Sequence, residues 1–404
     1  DTAGRFHFIY VDTGAVTLTL GAIPGNLWTA CQNPFIINPP VFPDSTHVVF
    51  LLQPDQLCAS MQVDVGLPPF FRPCQPAKVK VDYCNLGSIT AENATVEVVI
   101  PGVLNIDSTS LPVASQSGDT LVFAVGDIAP LDCGTFNVFL NPPCNGSLNG
   151  QTLCIDAHAY PDTFCTDPAN WSGAHVALSG RCIGNDVVEF TLRNTGPAAM
   201  IEIQEYIIIE DEVVLRTGEF QLAPGESMII DTTANGATWR LEAGQEPGHP
   251  GFSMPAVSIE GCGGLTPGLI NAFPQDDADW FVDIECRTVI ASYDPNIKTA
   301  IPEGVGPNRL IRANTPLEYT IQFQNTGTDT AFTVRLVDVL PSTLDVSSFR
   351  PGTSSHPCTW QINGDTLQIL FQPIILPDSN VNEPASHGWF DFSIRQKPDL
   401  ANGT

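Results

Sequence analysis

Seven histidines, at positions 7, 47, 158, 175, 249, 356 and 387, are the residues of this chain best suited to metal binding or proton transfer. None stands in a His-x3-His pair, the spacing that puts two imidazoles on one helix face for zinc. His356 and His387 each follow a serine, and a hydroxyl beside an imidazole in a short polar segment reads as a turn-fixing hydrogen bond. Ser172 and Gly173 lie next to His175. A serine nucleophile needs a strained elbow such as Gly-x-Ser-x-Gly, and none occurs. Closeness in sequence is not triad geometry. The chain is therefore expected to carry no catalytic site.

The densest acidic cluster is Asp276-Asp277-Ala278-Asp279, with Asp283 and Glu285 beyond it. Calcium takes six to eight oxygens, so Asp276, Asp277 and Asp279 are the candidate ligands. Their order lacks the Asp-x-Asp-x-Asp-Gly loop spacing, and the cluster reads as a solvated acidic turn. Glu210-Asp211-Glu212 poses the same question more weakly and reads as a hairpin tip.

Twelve cysteines are spread along the chain, with no Cys-x2-Cys pair to suggest a zinc knuckle or a thioredoxin-type site. An even number in an acidic, strand-rich chain points to disulfides and an oxidising compartment. Cys182 precedes the first strand of one repeat unit and Cys262 follows its last, so a bridge between them joins the two ends of a sandwich. Cys31–Cys58 and Cys154–Cys165 are the next choices, and the other six cysteines stay unassigned.

The elements that hold these residues are strands. Period-two alternation marks Val79-Lys80-Val81-Asp82-Tyr83, Val188-Glu189-Phe190-Thr191-Leu192 and Tyr319-Thr320-Ile321-Gln322-Phe323. Turn signals recur every 8–12 residues, roughly the spacing of an all-β sandwich. No convincing amphipathic helix is found, and no apolar run approaches the ~18 residues of a membrane span. With 404 residues, 43% hydrophobic, the chain is long enough for three or four domains of roughly 100–150 residues each. Sixteen basic against 44 acidic residues, a net charge of −28, exclude nucleic acid and anionic lipid as partners and attract divalent cations.

One unit recurs. Residues 79–104 align without a gap on 319–344, placing Asn85 on Asn325, Gly87 on Gly327, Ala91 on Ala331, Pro101 on Pro341 and Leu104 on Leu344. A weaker copy at 188–196 carries Asn194 and Gly196 in the same places. Asn-x-Gly reads as a turn that uses left-handed backbone angles. Three copies predict related sandwiches in tandem, and four units result: 1–70, 71–177, 178–287 and 288–404.

Two resemblances add to this. Asp1-x-x-Gly4-x-Phe6-x-Phe8, followed by Gly14-x-Val16-x-Leu18-x-Leu20, resembles the second half of a collagen-adhesin B-type domain, a prealbumin-like sandwich used as a stalk. The Ser292-Tyr293-Asp294-Pro295-Asn296 motif, Phe323–Ala331, Ser354-Ser355-His356-Pro357 and the segment 376–388 together resemble the conserved-repeat sandwich of large Bacteroidota surface proteins exported by type IX secretion. Ile297 departs from that pattern, where the family commonly has Asp. The resemblance implies an adhesin, stalk or filament without enzymatic activity. Asp followed by Ser or Thr and a small or aliphatic residue also resembles the O-glycosylation motif of Bacteroidota, at Thr2, Ser45, Ser108, Thr120, Thr232, Thr330 and Thr366.

The expectation is thus an all-β chain of tandem Ig-like and prealbumin-like sandwiches, extracellular and disulfide-braced. It serves as a stalk, fibre or filament subunit, or alternatively as an adhesin binding glycan or protein through loops, or as the accessory region of a larger secreted enzyme. Six tryptophans, at 28, 171, 239, 280, 360 and 389, are spread over all units rather than forming one binding platform. Incomplete units at both chain ends suggest completion by a strand from a neighbouring copy or another segment of the same protein. No cofactor is expected apart from calcium.

Overall fold

The computed structural model describes residues 15–20, 27–37, 47–144, 148–165, 171–184, 186–266, 269–290, 296–327, 329–398 and 400. The Asp1–Phe8 motif, Thr2, Ser45, residues 292–295 and the last four residues lie outside the described residues.

The chain is all-β. β1 (Val16–Leu18) pairs with β3 (Phe35–Ile37), and β2 (Trp28–Ala30) with β4 (Leu52–Pro54). The second unit runs through β5 (Met61–Gly66), β6 (Ala77–Asn85), β7 (Ala91–Val99), β8 (Asn105–Thr109), β9 (Ser115–Ser117), β10 (Thr120–Ile128), β11 (Cys133–Asn141) and β12 (Thr152–Tyr160). The third comprises β13 (Val176–Ile183), β14 (Val187–Asn194), β15 (Gln204–Glu210), β16 (Val213–Phe220), β17 (Ser227–Thr233), β18 (Trp239–Ala243) and β19 (Ala256–Ile259). After β20 (Val282–Thr288), the last unit holds β21 (Ile297–Ile301), β22 (Pro316–Gln324), β23 (Val334–Val339), β24 (Leu344–Ser354), β25 (Thr359–Asn363), β26 (Thr366–Phe371) and β27 (His387–Gln396).

Alternation builds each sandwich. In β6, Ala77, Val79 and Val81 are buried while Lys78, Lys80 and Asp82 face outward. Val188, Phe190 and Leu192 do the same for β14, and Leu367, Ile369 and Phe371 for β26. Burying such a side chain contributes about 1.5–3 kcal/mol. Among the described residues three separate cores result, one in each of the second, third and last sandwiches.

The order of the units differs from a tandem array. β5 lies next to β6 in the sheet β5-β6-β11-β8, so residues 61–66 belong to the second sandwich and not to the first unit, expected to run to residue 70. β20 pairs with β12, so residues 282–288 return to the second sandwich after the third has been completed. The third sandwich is an insertion within the second. An insertion of this kind leaves no local sequence mark, and loop-closure entropy grows slowly with length, so the host sheet tolerates it.

The recurrent Asn-x-Gly is a hydrogen-bond bracket. The side-chain oxygens of Asn85, Asn194 and Asn325 accept from the amides of Gly87, Gly196 and Gly327 at 2.9, 3.0 and 3.1 Å. Their amide nitrogens donate to Ile89, Ala198 and Asp329 carbonyls at 2.8 Å in all three copies. Each also donates to the next turn, at Ile128, Leu222 and Leu376. None of the three glycines has a left-handed φ. Glycine is needed instead for close approach: a Cβ on Gly87 would lie 2.3 Å from the Cys58 carbonyl oxygen, and one on Gly196 2.2 Å from that of Gly173.

Five disulfides form. Cys182–Cys262 closes the inserted sandwich. Cys58 bonds Cys165 and not Cys31, because the segment before β5 runs beside the 161–165 loop. Cys154 bonds Cys286 and not Cys165, because β12 and β20 are neighbours with these two residues opposite each other. Cys74–Cys144 and Cys84–Cys133 complete the set, and Cys31 and Cys358 are unbridged.

Candidate functional site

The second and last sandwiches meet over a cavity of about 480 Å³. Strand alternation positions its acids. In β22, Leu317, Tyr319 and Phe323 enter the core of the last sandwich, leaving Glu318 and Thr320 on the opposite face. In β27, Asp391 sits between the buried Phe390 and Phe392 and opposite Thr320. From the second sandwich come Asp64 on β5 and Asp283 and Glu285 on β20, and the loop before β20 adds Asp277.

Asp277, Asp283 and Glu318 each present a carboxylate oxygen within 4.8 Å of the others. Asp283 also accepts from the Val65 amide, and Asp64 accepts from the Thr353 amide at 3.0 Å. A Cβ on Gly352 would lie 3.0 Å from Asp64 Oδ2 and 3.3 Å from the Asp391 Cβ, so glycine lets these two acids close around the strand. Asp391 is 7% exposed, and neither of its carboxylate oxygens meets a hydrogen-bond donor in bonding geometry. Arg287 is the cation of the cluster. It bonds Glu285 and the Thr320 hydroxyl, and its guanidinium is 4.0 Å from Asp391. Arg350 and Arg395 also line the cavity, but lie over the rings of Trp280 and Phe252.

Burial, with little positive charge nearby to offset it, raises the affinities of these carboxyls for protons. Burial, then the charges of Asp391, Asp82 and Glu285, push Asp64 well above the usual carboxylate range. Burial and then Asp64, Glu285 and Asp277 do the same to Asp283. Glu318 rises through burial and the charges of Asp277, Asp283, Glu285 and Asp64. Burial first and a neighbouring acid second bring Asp277 and Asp391 up to about 7. Asp277 and Glu318 are half-buried, and Asp283 is buried.

The run 276–279 is thus not a solvated turn, and its three acids do not act together. Asp276 accepts from the Ser253 hydroxyl at 2.6 Å, and Asp279 from the amides of Phe252 and Ser253, so both pin the 251–254 loop. Asp277 alone joins Asp283 and Glu318. Sequence reasoning missed Asp64, Glu318 and Asp391. The sequence carried no signal of the last, since Asp391 alternates with Phe390 and Phe392 as an outward-facing residue of a half-buried strand would.

The remaining candidates fall elsewhere. Glu210-Asp211-Glu212 is the β15–β16 hairpin tip, with Asp211 at a φ of 52°. The Ser172 hydroxyl meets Glu246, not an imidazole, while His175 pairs with His249 at 2.8 Å. His356 bonds the Ser355 hydroxyl at 2.9 Å, but His387 bonds Glu383 at 3.1 Å rather than the serine before it. Of the Asp-Ser/Thr positions, Ser108 is exposed, and Thr120, Thr232, Thr330 and Thr366 are half-buried.

The architecture defines the class: a multi-sandwich all-β protein with one sandwich inserted in another. A family model described as a domain of unknown function (DUF7619) matches residues 294–404, the last sandwich. No curated protein matches the chain. Among solved structures, the chain is similar to the B domain of a biofilm-associated protein, at 9% identity over 51% of this chain and 88% of that one, with a TM-score of 0.22. It is also similar to the collagen adhesin CNA from S. aureus, at 10% identity over 84% of this chain and 80% of that one, TM-score 0.18. The calcium binding domain CBD12 of CALX1.1 is similar at 13% identity over 45% and 79% of the two chains, TM-score 0.14. Likeness at these scores says nothing of what the chain binds.

Proposed function

We propose that this chain is a non-enzymatic structural block of an extracellular bacterial surface protein. The observation that carries this reading is the bracing: five disulfides distributed over a sandwich and its insertion. Such bonds persist in an oxidising compartment. The finer form of the reading is a stalk, fibre or filament subunit of a Bacteroidota cell surface, exported by type IX secretion. Neighbouring copies would join by strand addition, for which the last sandwich offers the outer strands β21, β24, β23 and β25.

Protease shaving of intact cells, followed by non-reducing peptide mapping of the released material, tests this reading. The five bridges should be recovered from the shaved fraction. Recovery of the protein only from the cytosol, with free thiols, would overturn it. Imaging of native material separates a fibre, which shows a regular repeat, from a dispersed adhesin, which does not.

A further inference from the structure

We propose that the cavity between the second and last sandwiches binds one calcium ion, held by the carboxylates of Asp277, Asp283 and Glu318. This goes beyond the structural reading above and stands independently of it.

The donors choose the class of ion. Three carboxylates with no imidazole or thiolate suit a hard cation and not a transition metal. Calcium holds oxygens at about 2.3–2.6 Å, so two of its ligands are at most about 5 Å apart. Oxygens of Asp277, Asp283 and Glu318 lie within 4.8 Å of one another and meet that limit. Magnesium requires near-ideal octahedral geometry at about 2.0–2.1 Å, a tighter shell than these ligands impose. Three carboxylates supply three oxygens, or more where they bind through both, and water from the cavity can complete the shell.

A second observation is independent of those three residues. Asp391 lines the same cavity, is 7% exposed, and its carboxylate oxygens form no close hydrogen bond, the Thr320 hydroxyl opposite offsetting only part of its burial. A buried anion whose guanidinium partner stands 4.0 Å away and is shared with Glu285 is costly. Asp64 and Glu285 add their charges nearby, and Arg287 offsets only part of the total. A divalent ion supplies the missing positive charge for the whole group.

The ligands also say what the ion would do. Asp277 belongs to the loop leaving the inserted sandwich, Asp283 to the second sandwich and Glu318 to the last one. One ion therefore ties the 277–283 stretch, which leads from the inserted sandwich into β20, to β22 and fixes the last sandwich to the body.

The test uses the whole chain, stripped with chelator and titrated with calcium chloride by calorimetry. One saturable site is expected, with Kd on the order of 0.1–1 mM, as in extracellular calcium modules. Calcium at about ten times Kd should raise the melting temperature by about 2–4 °C. Asp283→Asn and Glu318→Gln, in different sandwiches, should each weaken binding about tenfold or more. Glu92→Gln, on an exposed strand position, should bind as the parent does. In chelator, Asp283→Asn should melt no lower than the parent, because it removes repulsion. That readout separates a lost ligand from a misfolded variant. No saturable heat from the parent, unchanged binding in both site variants, or tighter binding of magnesium than of calcium would overturn the proposal.

Discussion

The inserted sandwich and the last sandwich both pack against the second, through junctions of opposite chemistry. On the inserted side, Phe164 and Phe281 of the second sandwich meet at 5.3 Å, and Phe164 approaches Trp171 at 6.1 Å and His249 at 5.1 Å. The polar atoms in that cluster are satisfied from within. Trp171 Nε1 donates to the Ala174 carbonyl, and the Gly251 amide donates to His249 Nδ1. That bond leaves the His249 proton on Nε2, where it is donated to His175 Nδ1. On the other side, carboxylates outnumber their cationic partner, and Asp391 has that guanidinium only at 4.0 Å. The first junction is complete within the chain. The second is stable only if protons or a cation neutralise it, so the two should respond oppositely to loss of a side chain.

Strand β20 serves both junctions, since Phe281 immediately precedes it and Asp283, Glu285 and Arg287 alternate along it. Its disulfide to β12 is the change that should disturb both sides at once. The bridge spans 132 residues, and in the chain-entropy model its loss costs about 5 kcal/mol. Replacing Cys154 and Cys286 by Ala should lower the urea midpoint of the non-reduced protein sharply. An unchanged midpoint would mean that strand pairing alone holds β20.

The comparison sharpens with a change to an aromatic side chain that borders the cavity but offers no ligand. Phe281 is 8% exposed and packs in the core of the second sandwich. Phe281→Ala should cost about 3 kcal/mol through the cavity it leaves, measured by denaturant unfolding. The loss should be the same with chelator or calcium, because no carboxylate is involved. A calcium-dependent loss would show that the two junctions are coupled through β20.

Strands were legible from alternation because each sandwich buries one face of every sheet. The Asn-x-Gly repeat located three related units, but its chemistry was misread as backbone freedom when Asn85, Asn194 and Asn325 act through their side chains. Cys182–Cys262 was legible because both cysteines flank one continuous unit. Cys154–Cys286 was not, since the partner strand returns only after a whole inserted sandwich. The acidic site was hidden for the same reason. Asp64, Asp277, Glu318 and Asp391 come from widely separated segments, and only the packing of two sandwiches brings them together.

Asp391→Asn tests the sign of the comparison. An amide keeps the shape and removes one of the crowded charges, so in chelator the variant should be stabilised at neutral pH by on the order of 1 kcal/mol. Deleting the ring of Phe281 destabilises, whereas deleting the charge of Asp391 stabilises. Destabilisation of Asp391→Asn in chelator would mean that Arg287 already balances the cluster.

The smallest effect is expected from pH acting on the aromatic side. Burial, then the neighbouring His175 charge, lowers His249 to about 4. Burial also lowers His175, with Asp162 opposing the shift and His158 adding to it. Both folded values lie below the ordinary histidine value, so the unfolded chain takes up protons first as pH falls. Stability is therefore full above about pH 6.5, the unfolded histidine value, and declines as pH falls towards 4. The hydrogen bonds explain why: a proton on His249 Nδ1 would face the Gly251 amide, and one on His175 Nδ1 would face the His249 proton. Both rings keep some contact with water, so the decline should be shallower than the loss from Phe281→Ala. His249→Gln, compared with the parent across this range in the presence of calcium, should flatten the slope. A slope that persists unchanged in the variant would assign the acid sensitivity to calcium displaced by protons from the carboxylate side, and would reverse this part of the comparison.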